Sequence, residues 1–221
     1  MISTLTNLSF SQIQHAMRFK NREEAAILLA AKLKKYQHEH CVVLALPRGG
    51  VPMAQIVAKE LKAPMDLILV KKIGHPLNKE YAIGAASFYD SIIEPHENVS
   101  DAYIMKEVET IRARLKEMHE KFIGHQKTIS IEGKVAIIVD DGVATGHTIV
   151  AAIKIIRKKN PSKIVLAVPV SSKDALEKIK QLADETICLL QPTDFSGIAA
   201  FYEDFNQVSD EEVIAFMKEL H

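Results

Sequence analysis

The chain has 221 residues, 28 Lys plus Arg against 28 Asp plus Glu, and 48% hydrophobic residues. That length suits one domain with a sizeable core, because domains commonly run to about 100–200 residues. The charge balance excludes a globally basic chain of the kind that binds nucleic acid or a membrane surface, and no apolar run reaches the ~20 residues of a membrane-spanning helix.

The first residues, MISTLTNLSF, lack the basic and apolar regions of a signal peptide, so the expected location is the cytoplasm. Asn21 with Glu24 resembles a capping box, and Ala26, Leu29, Ala30 and Leu33 follow at helical spacing, which predicts a helix ending near Tyr36. Cys41–Leu46 (CVVLAL) is short, continuous and rich in β-branched residues, as a strand buried on both faces is. The turn PRGG follows, then a helix over Val51–Leu61 and a second strand over Met65–Lys72. Tyr81–Glu94 reads as short strands or a hairpin. Ser100 caps a long helix over Asp101–Phe122, whose stripe Val108, Ile111, Leu115, Met118 and Phe122 is expected to pack on the sheet. Val135–Val139 is the next strand and Thr148–Lys159 the next helix. Ile164–Val170 follows as a strand, with Ser172 capping a helix to Leu182. Thr186–Leu190 is the last clear strand, and a second capping box, Ser209 with Glu212, opens a helix with Val213, Phe216, Met217 and Leu220 on one face. Cys41 and Cys188 lie inside apolar runs and read as buried, reduced thiols.

Apolar strands alternating with helices predict a single α/β domain over 1–221, with a Rossmann-like, mostly parallel central sheet. Ligands bind such sheets outside the carboxyl ends of the strands. Three places put unusual residues at those ends: PRGG, VKKIGHP and DDGVATGHT.

Asp140 and Asp141 directly follow the apolar run of Val135–Val139. Like charges this close need a cation or several hydrogen-bond donors between them. A vicinal diol with Mg²⁺ nearby supplies both, since each carboxylate can accept a hydroxyl hydrogen. The loop Val143, Ala144, Thr145, Gly146, His147 and Thr148 then opens a helix, so backbone N–H groups and threonine hydroxyls form an anion cradle. A diol grip just before a phosphate cradle matches a ribose 5-phosphate. A Walker-type reading fails, because the chain has no GxxxxGK[ST] loop.

The stretch AIIVDDGVATGHT resembles the phosphoribosyl pyrophosphate (PRPP) signature of the type I phosphoribosyltransferases, departing from it at Gly142, where that family usually has a branched apolar residue. On that resemblance Gly142 is expected to loosen the loop. PRGG resembles the same family's pyrophosphate loop, with Arg48, Gly49 and Gly50 holding the diphosphate, and a strained peptide bond is expected beside Pro47. The resemblance spans most of residues 20–215 and is closest to a little-characterised bacterial group of predicted phosphoribosyltransferases. It implies a Mg²⁺-dependent transferase, commonly a homodimer, that moves the phosphoribosyl group of PRPP to a nitrogenous base with release of pyrophosphate.

On that reading Asp140 and Asp141 hold the ribose hydroxyls and, directly or through ribose and water, the metal. Arg48 with Lys71 or Lys72 neutralises the leaving diphosphate, although both lysines suit a solvated strand end equally well. Residues 73–84 lie where the family carries a mobile lid. Residues 191–208 are the expected hood over the base, with Phe195, Phe201 and Tyr202 to stack on it, and the competing reading has these aromatics pinning a long loop to the core. Family members that act on 6-oxopurines carry an acidic residue where this chain has Ala144, which argues against that acceptor class. The alternatives are a non-catalytic PRPP-binding regulator and a hydrolase of PRPP or a related sugar phosphate.

Overall fold

The computed structural model describes residues 18–94, 98–124 and 128–219; the MISTLTNLSF stretch and Leu220 lie outside them. Five parallel strands form the central sheet: β1 (Cys41–Ala45), β2 (Met65–Leu67), β6 (Val135–Val139), β7 (Lys163–Val170) and β8 (Glu185–Leu190), in the order β2-β1-β6-β7-β8. Every residue of β1 and β6 is buried. The reason is the alternation of side chains along each strand. Val43, Ala45, Ile137, Val139, Val165 and Ala167 pack on one face with α1 (Arg22–Leu33) and α2 (Gly50–Leu61). Val42, Leu44, Ala136, Ile138, Leu166 and Val168 pack on the other with α4 (His147–Arg157) and α5 (Lys173–Lys180). The α/β reading and its parallel sheet therefore hold, with helix ends shifted by a residue or two.

Local capping follows the sequence closely. The Asn21 side chain accepts the Glu24 N–H at 3.0 Å, but Glu24 reaches back to the N–H of Lys20 at 2.6 Å, one residue before the cap. In α6 (Asp210–Lys218) the Ser209 and Glu212 box closes in both directions, at 3.1 and 2.7 Å. Cys41 and Cys188 are both free thiols, the first buried and the second half-buried with its Sγ donating to the Leu190 carbonyl.

The expected single strand over Met65–Lys72 is two strands in two sheets. Ile68 still donates to the Ala45 carbonyl at 2.8 Å, and then the chain leaves the parallel sheet. It enters an antiparallel sheet of β3 (Val70–His75), β4 (Asn78–Ser87) and β5 (Ser91–Ile93). The break at Ile68–Leu69 is invisible in the sequence because those residues are buried like their neighbours, bridging the two sheets rather than continuing one.

Residues 73–84, which lie where the family carries its lid, are mostly strand. His75 pairs with Asn78 across a two-residue turn, leaving Leu77 at the tip 90% exposed. The hairpin is anchored on α3 (Asp101–Phe122): the Tyr103 hydroxyl donates to the Gly74 carbonyl at 2.8 Å, and Lys79 pairs with Tyr103 and Glu107. Ile104, Ile111, Leu115 and Phe122 of α3 are buried, but the helix packs on β3, β4 and α6 rather than on the parallel sheet. Because Ile73 and Ile83 are fully buried, Ile83→Ala should cost about 2–5 kcal/mol in urea unfolding; a cost near zero would mean that the hairpin is not packed.

Candidate active site

β6 lies between β1 and β7, so its carboxyl end is flanked by the ends of both. Leu46 donates to the Val139 carbonyl at 3.1 Å, which carries the PRGG turn directly alongside the two aspartates. The contact is so close that only glycine fits. A Cβ on Gly49 would stand 1.8 Å from Asp141 Oδ2, and one on Gly50 2.6 Å from the Val139 carbonyl oxygen. Gly49 has an ordinary helical φ of −62°, so its requirement is room rather than backbone freedom. A cis peptide bond joins Pro47 to Arg48.

The acids are held by a network that reaches across the chain. Asp140 Oδ1 accepts the Asp141 N–H at 2.9 Å. Asp141, 9% exposed, takes the Arg22 guanidinium on Oδ2, from Nε at 2.9 Å and Nη2 at 2.8 Å. Its backbone carbonyl accepts the Tyr202 hydroxyl at 2.7 Å. Burial, and then the charge of Asp141, push the Asp140 carboxyl well above its ordinary range. Burial also raises Asp141, against the pull of Arg22. Removing one partner of an ion pair this buried costs about 3–5 kcal/mol.

The cradle after the acids is built on β7. Val143 donates to the Val170 carbonyl and accepts from Ser172, at 2.9 and 3.0 Å, and the Ser172 hydroxyl donates to the Ala144 carbonyl at 2.6 Å while capping α5. Gly146 then turns the chain at φ 77° and α4 starts with no side-chain cap, so the cradle's open N–H groups begin after the anchor. Val143, expected among the phosphate donors, is instead that anchor: its N–H is already bonded and its side chain is 3% exposed. Thr145 and Thr148 are exposed and His147 half-buried. Thr145 and His147 line a cavity of about 670 Å³ with Ala144, Ser172 to Ala175, Lys178 and Pro192 to Phe195.

Gly142 does not loosen the loop. A Cβ there would lie 2.7 Å from Ile198 Cγ2 and 3.0 Å from Val170 Cγ1, so the glycine admits the 191–208 segment against the loop. That segment is strapped to residues 19 and 20, with Phe19 donating to the Phe201 carbonyl and Glu203 to that of Phe19, both at 2.8 Å. Phe201 and Tyr202 are only 6% and 3% exposed, so they act as core and as a prop for Asp141 rather than as an open stacking face. Phe195, stacked on Phe201 at 5.6 Å, is the aromatic of this segment that lines the cavity.

Across the whole chain, the phosphoribosyl transferase domain family matches residues 10–206. The chain belongs to that family. Two Mycobacterium tuberculosis proteins, from strains CDC 1551 / Oshkosh and H37Rv, whose names assign phosphoribosyl transferase activity provisionally, are each 39% identical over 211 residues, 92% of this chain and 47% of theirs. The chain thus spans about half the length of the curated relatives it matches. The crystal structure of TT1426 from Thermus thermophilus superposes with a TM-score of 0.86 at 37% identity, covering 92% of this chain and 99% of that one.

In this member of the phosphoribosyl transferase domain family the other expected site residues are placed differently. The Arg48 guanidinium pairs with Asp210 at 3.5 Å at the start of α6, so the backbone of PRGG, rather than the Arg48 side chain, meets the acids. Lys71 and Lys72 stand on β3 opposite Ala86 and Ala85 of β4, and neither borders the cavity beside the cradle. Arg22 is the partner of the acids missed from sequence. It lies 119 positions from Asp141, and its one local sign is a cation at the first position of a helix, where the dipole disfavours it. Gly142→Val should displace Ile198 and cost about 1–3 kcal/mol by denaturant titration, as overpacking does. Gly49→Ala should abolish the PRPP binding expected from the sequence, read by calorimetry, while circular dichroism stays native.

Proposed function

We propose that this chain is a Mg²⁺-dependent phosphoribosyltransferase with PRPP as donor and a small nitrogenous base as acceptor. The observation that carries this reading is the junction at the end of β6. Two aspartates lie against a glycine-only turn, and six residues after the second of them an uncapped helix begins. A ribose 5-phosphate carrying a diphosphate has a vicinal diol, a terminal phosphate and a leaving group at matching positions. Asp140 and the free Oδ1 of Asp141 accept the ribose hydroxyl hydrogens. The N–H groups of Gly146 to Thr148, with the hydroxyls of Thr145 and Thr148, take the 5-phosphate. The backbone of Arg48 to Gly50 lies beside the diphosphate.

The donor set suits Mg²⁺, which is usually bound by one or two carboxylates plus substrate phosphates. Asp140 and Asp141 would hold it, directly or through ribose and water, and when bound it neutralises charge on the departing diphosphate. Displacement at C1 passes through a cationic sugar, so anions below the ring and cations on the leaving group lower the barrier. Arg48, on a turn next to the acids, serves the leaving group only after releasing Asp210. Lys71 and Lys72 serve it only if the β3–β4 hairpin closes on the site as a lid. The cavity between the cradle and Pro192 to Phe195 is the acceptor side, where Phe195 offers a flat face to a base.

Calorimetry with Mg²⁺ present should show PRPP binding by the wild-type chain and none by the Asp140→Asn, Asp141→Asn double variant; a wild type that does not bind PRPP would sink this reading. A panel of bases should reveal one that releases pyrophosphate. Release with no base added would instead identify a hydrolase, and tight binding with no release a sensor. Phe195→Ala should raise KM for the accepted base with little change in the affinity for PRPP.

A further inference from the structure

Arg22 makes a contact set that a surface ion pair does not have. Two of its donors converge on Asp141 Oδ2, at 2.9 and 2.8 Å, and a third, Nη1, reaches the Asn206 carbonyl at 2.6 Å. Its guanidinium lies 3.8 Å over the Phe205 ring. Phe205 packs on Tyr202 with centroids 4.9 Å apart, and the Tyr202 hydroxyl returns to the Asp141 carbonyl. These contacts close a ring from Asp141 through Arg22, Phe205 and Tyr202 back to Asp141. Both charged side chains are nearly buried, at 13% and 12% exposure, so solvent screens the pair weakly.

We propose that Arg22 is the resident cation of the acid pair, holding Asp141 in place before any donor arrives and making divalent-cation entry depend on the diphosphate. The proposal rests on the PRPP reading of the site for its biological meaning, but its physical content stands on the ring of contacts. Arg22, Asp140 and Asp141 sum to one negative charge rather than two. Mg²⁺ gives up its water reluctantly and asks for a near-octahedral shell. Among the described residues no group of three or more His, Cys, Asp or Glu is placed to hold a metal. With a guanidinium already on Oδ2, the acids alone offer a free cation little, and the missing ligands and charge come with the diphosphate. Arg22 also acts as a positioning residue, since the segment that borders the acceptor cavity continues into Phe205 and Asn206, and any shift there moves the Asp141 carboxylate.

The test titrates Mn²⁺ into the chain without donor. Wild type should half-saturate no lower than the millimolar range, and added pyrophosphate should tighten Mn²⁺ binding. Arg22→Gln, which leaves both acids without their cation, should bind Mn²⁺ roughly tenfold more tightly or better, about 1.4 kcal/mol. Arg22→Lys, which keeps the charge and loses the fork, should stay near wild type. Equal Mn²⁺ affinity for wild type and a folded Arg22→Gln would overturn the proposal, and so would tight Mn²⁺ binding by wild type alone. If Arg22→Gln does not fold, the wild-type titrations with and without pyrophosphate decide. Because no PRPP is used, a gain of Mn²⁺ affinity in Arg22→Gln supports the role of Arg22 even if PRPP binding fails. Normal PRPP binding with no such gain defeats this inference alone.

Discussion

Two carboxylates on consecutive residues at the end of a fully buried strand are the constraint around which this molecule is arranged. A strand like β6 delivers its last residues into a space from which most water is excluded, where unpaired charge is costly. The remedy is built from several parts of the chain. Arg22 comes from the first turn of α1 and Tyr202 from the segment after β8, while the Asp141 N–H closes on Asp140. The site's electrostatics are in this sense the reason for its tertiary contacts. The strap between Phe19 and Tyr202 brings the start of α1, which carries Arg22, beside the segment that carries Tyr202.

The glycines serve the same constraint from the steric side. Gly49 and Gly50 bring the turn after β1 against the acids, and Gly142 lets Ile198 settle on the loop that follows them. A side chain at any of the three would push apart segments whose joint position defines the site. Glycine here costs conformational entropy in the unfolded chain, and the structure recovers closeness that no other residue permits.

Chemistry and packing are also divided between the two sides of the cradle. Val143 and Ser172 fix the loop to β7, with every donor spent on protein acceptors, while the helix that opens after Gly146 has no side-chain cap. For the proposed anion site, such a division leaves the backbone N–H groups at a helix start to supply a field. The second sheet adds a different element: a hairpin packed at its base through Ile73 and Ile83 and exposed at Leu77. That combination keeps its root fixed while its tip remains free of the core.

What was legible in the sequence was contiguous. The helix N-caps, the fully buried strands β1 and β6, the two acids and the small-residue loop are each written within a dozen residues, and their local physics does not depend on distant partners. Thus the α/β class, the sheet's parallel character and the family were readable from spacing and resemblance. Decisions made between distant segments were not. The strand expected over Met65–Lys72 divides because two sheets compete for it after Ile68, and apolar residues satisfy either. Arg48 turns to Asp210 because α6 happens to present a carboxylate there, and Tyr202 is a prop because Asp141 offers it a carbonyl. Arg22 is the clearest case: a residue 119 positions away completes the acid pair. The sequence alone determined the α/β class and the two acids at the end of a buried strand; only the tertiary structure decided which cation balances them, because that choice is made by burial and by contacts that no local pattern encodes.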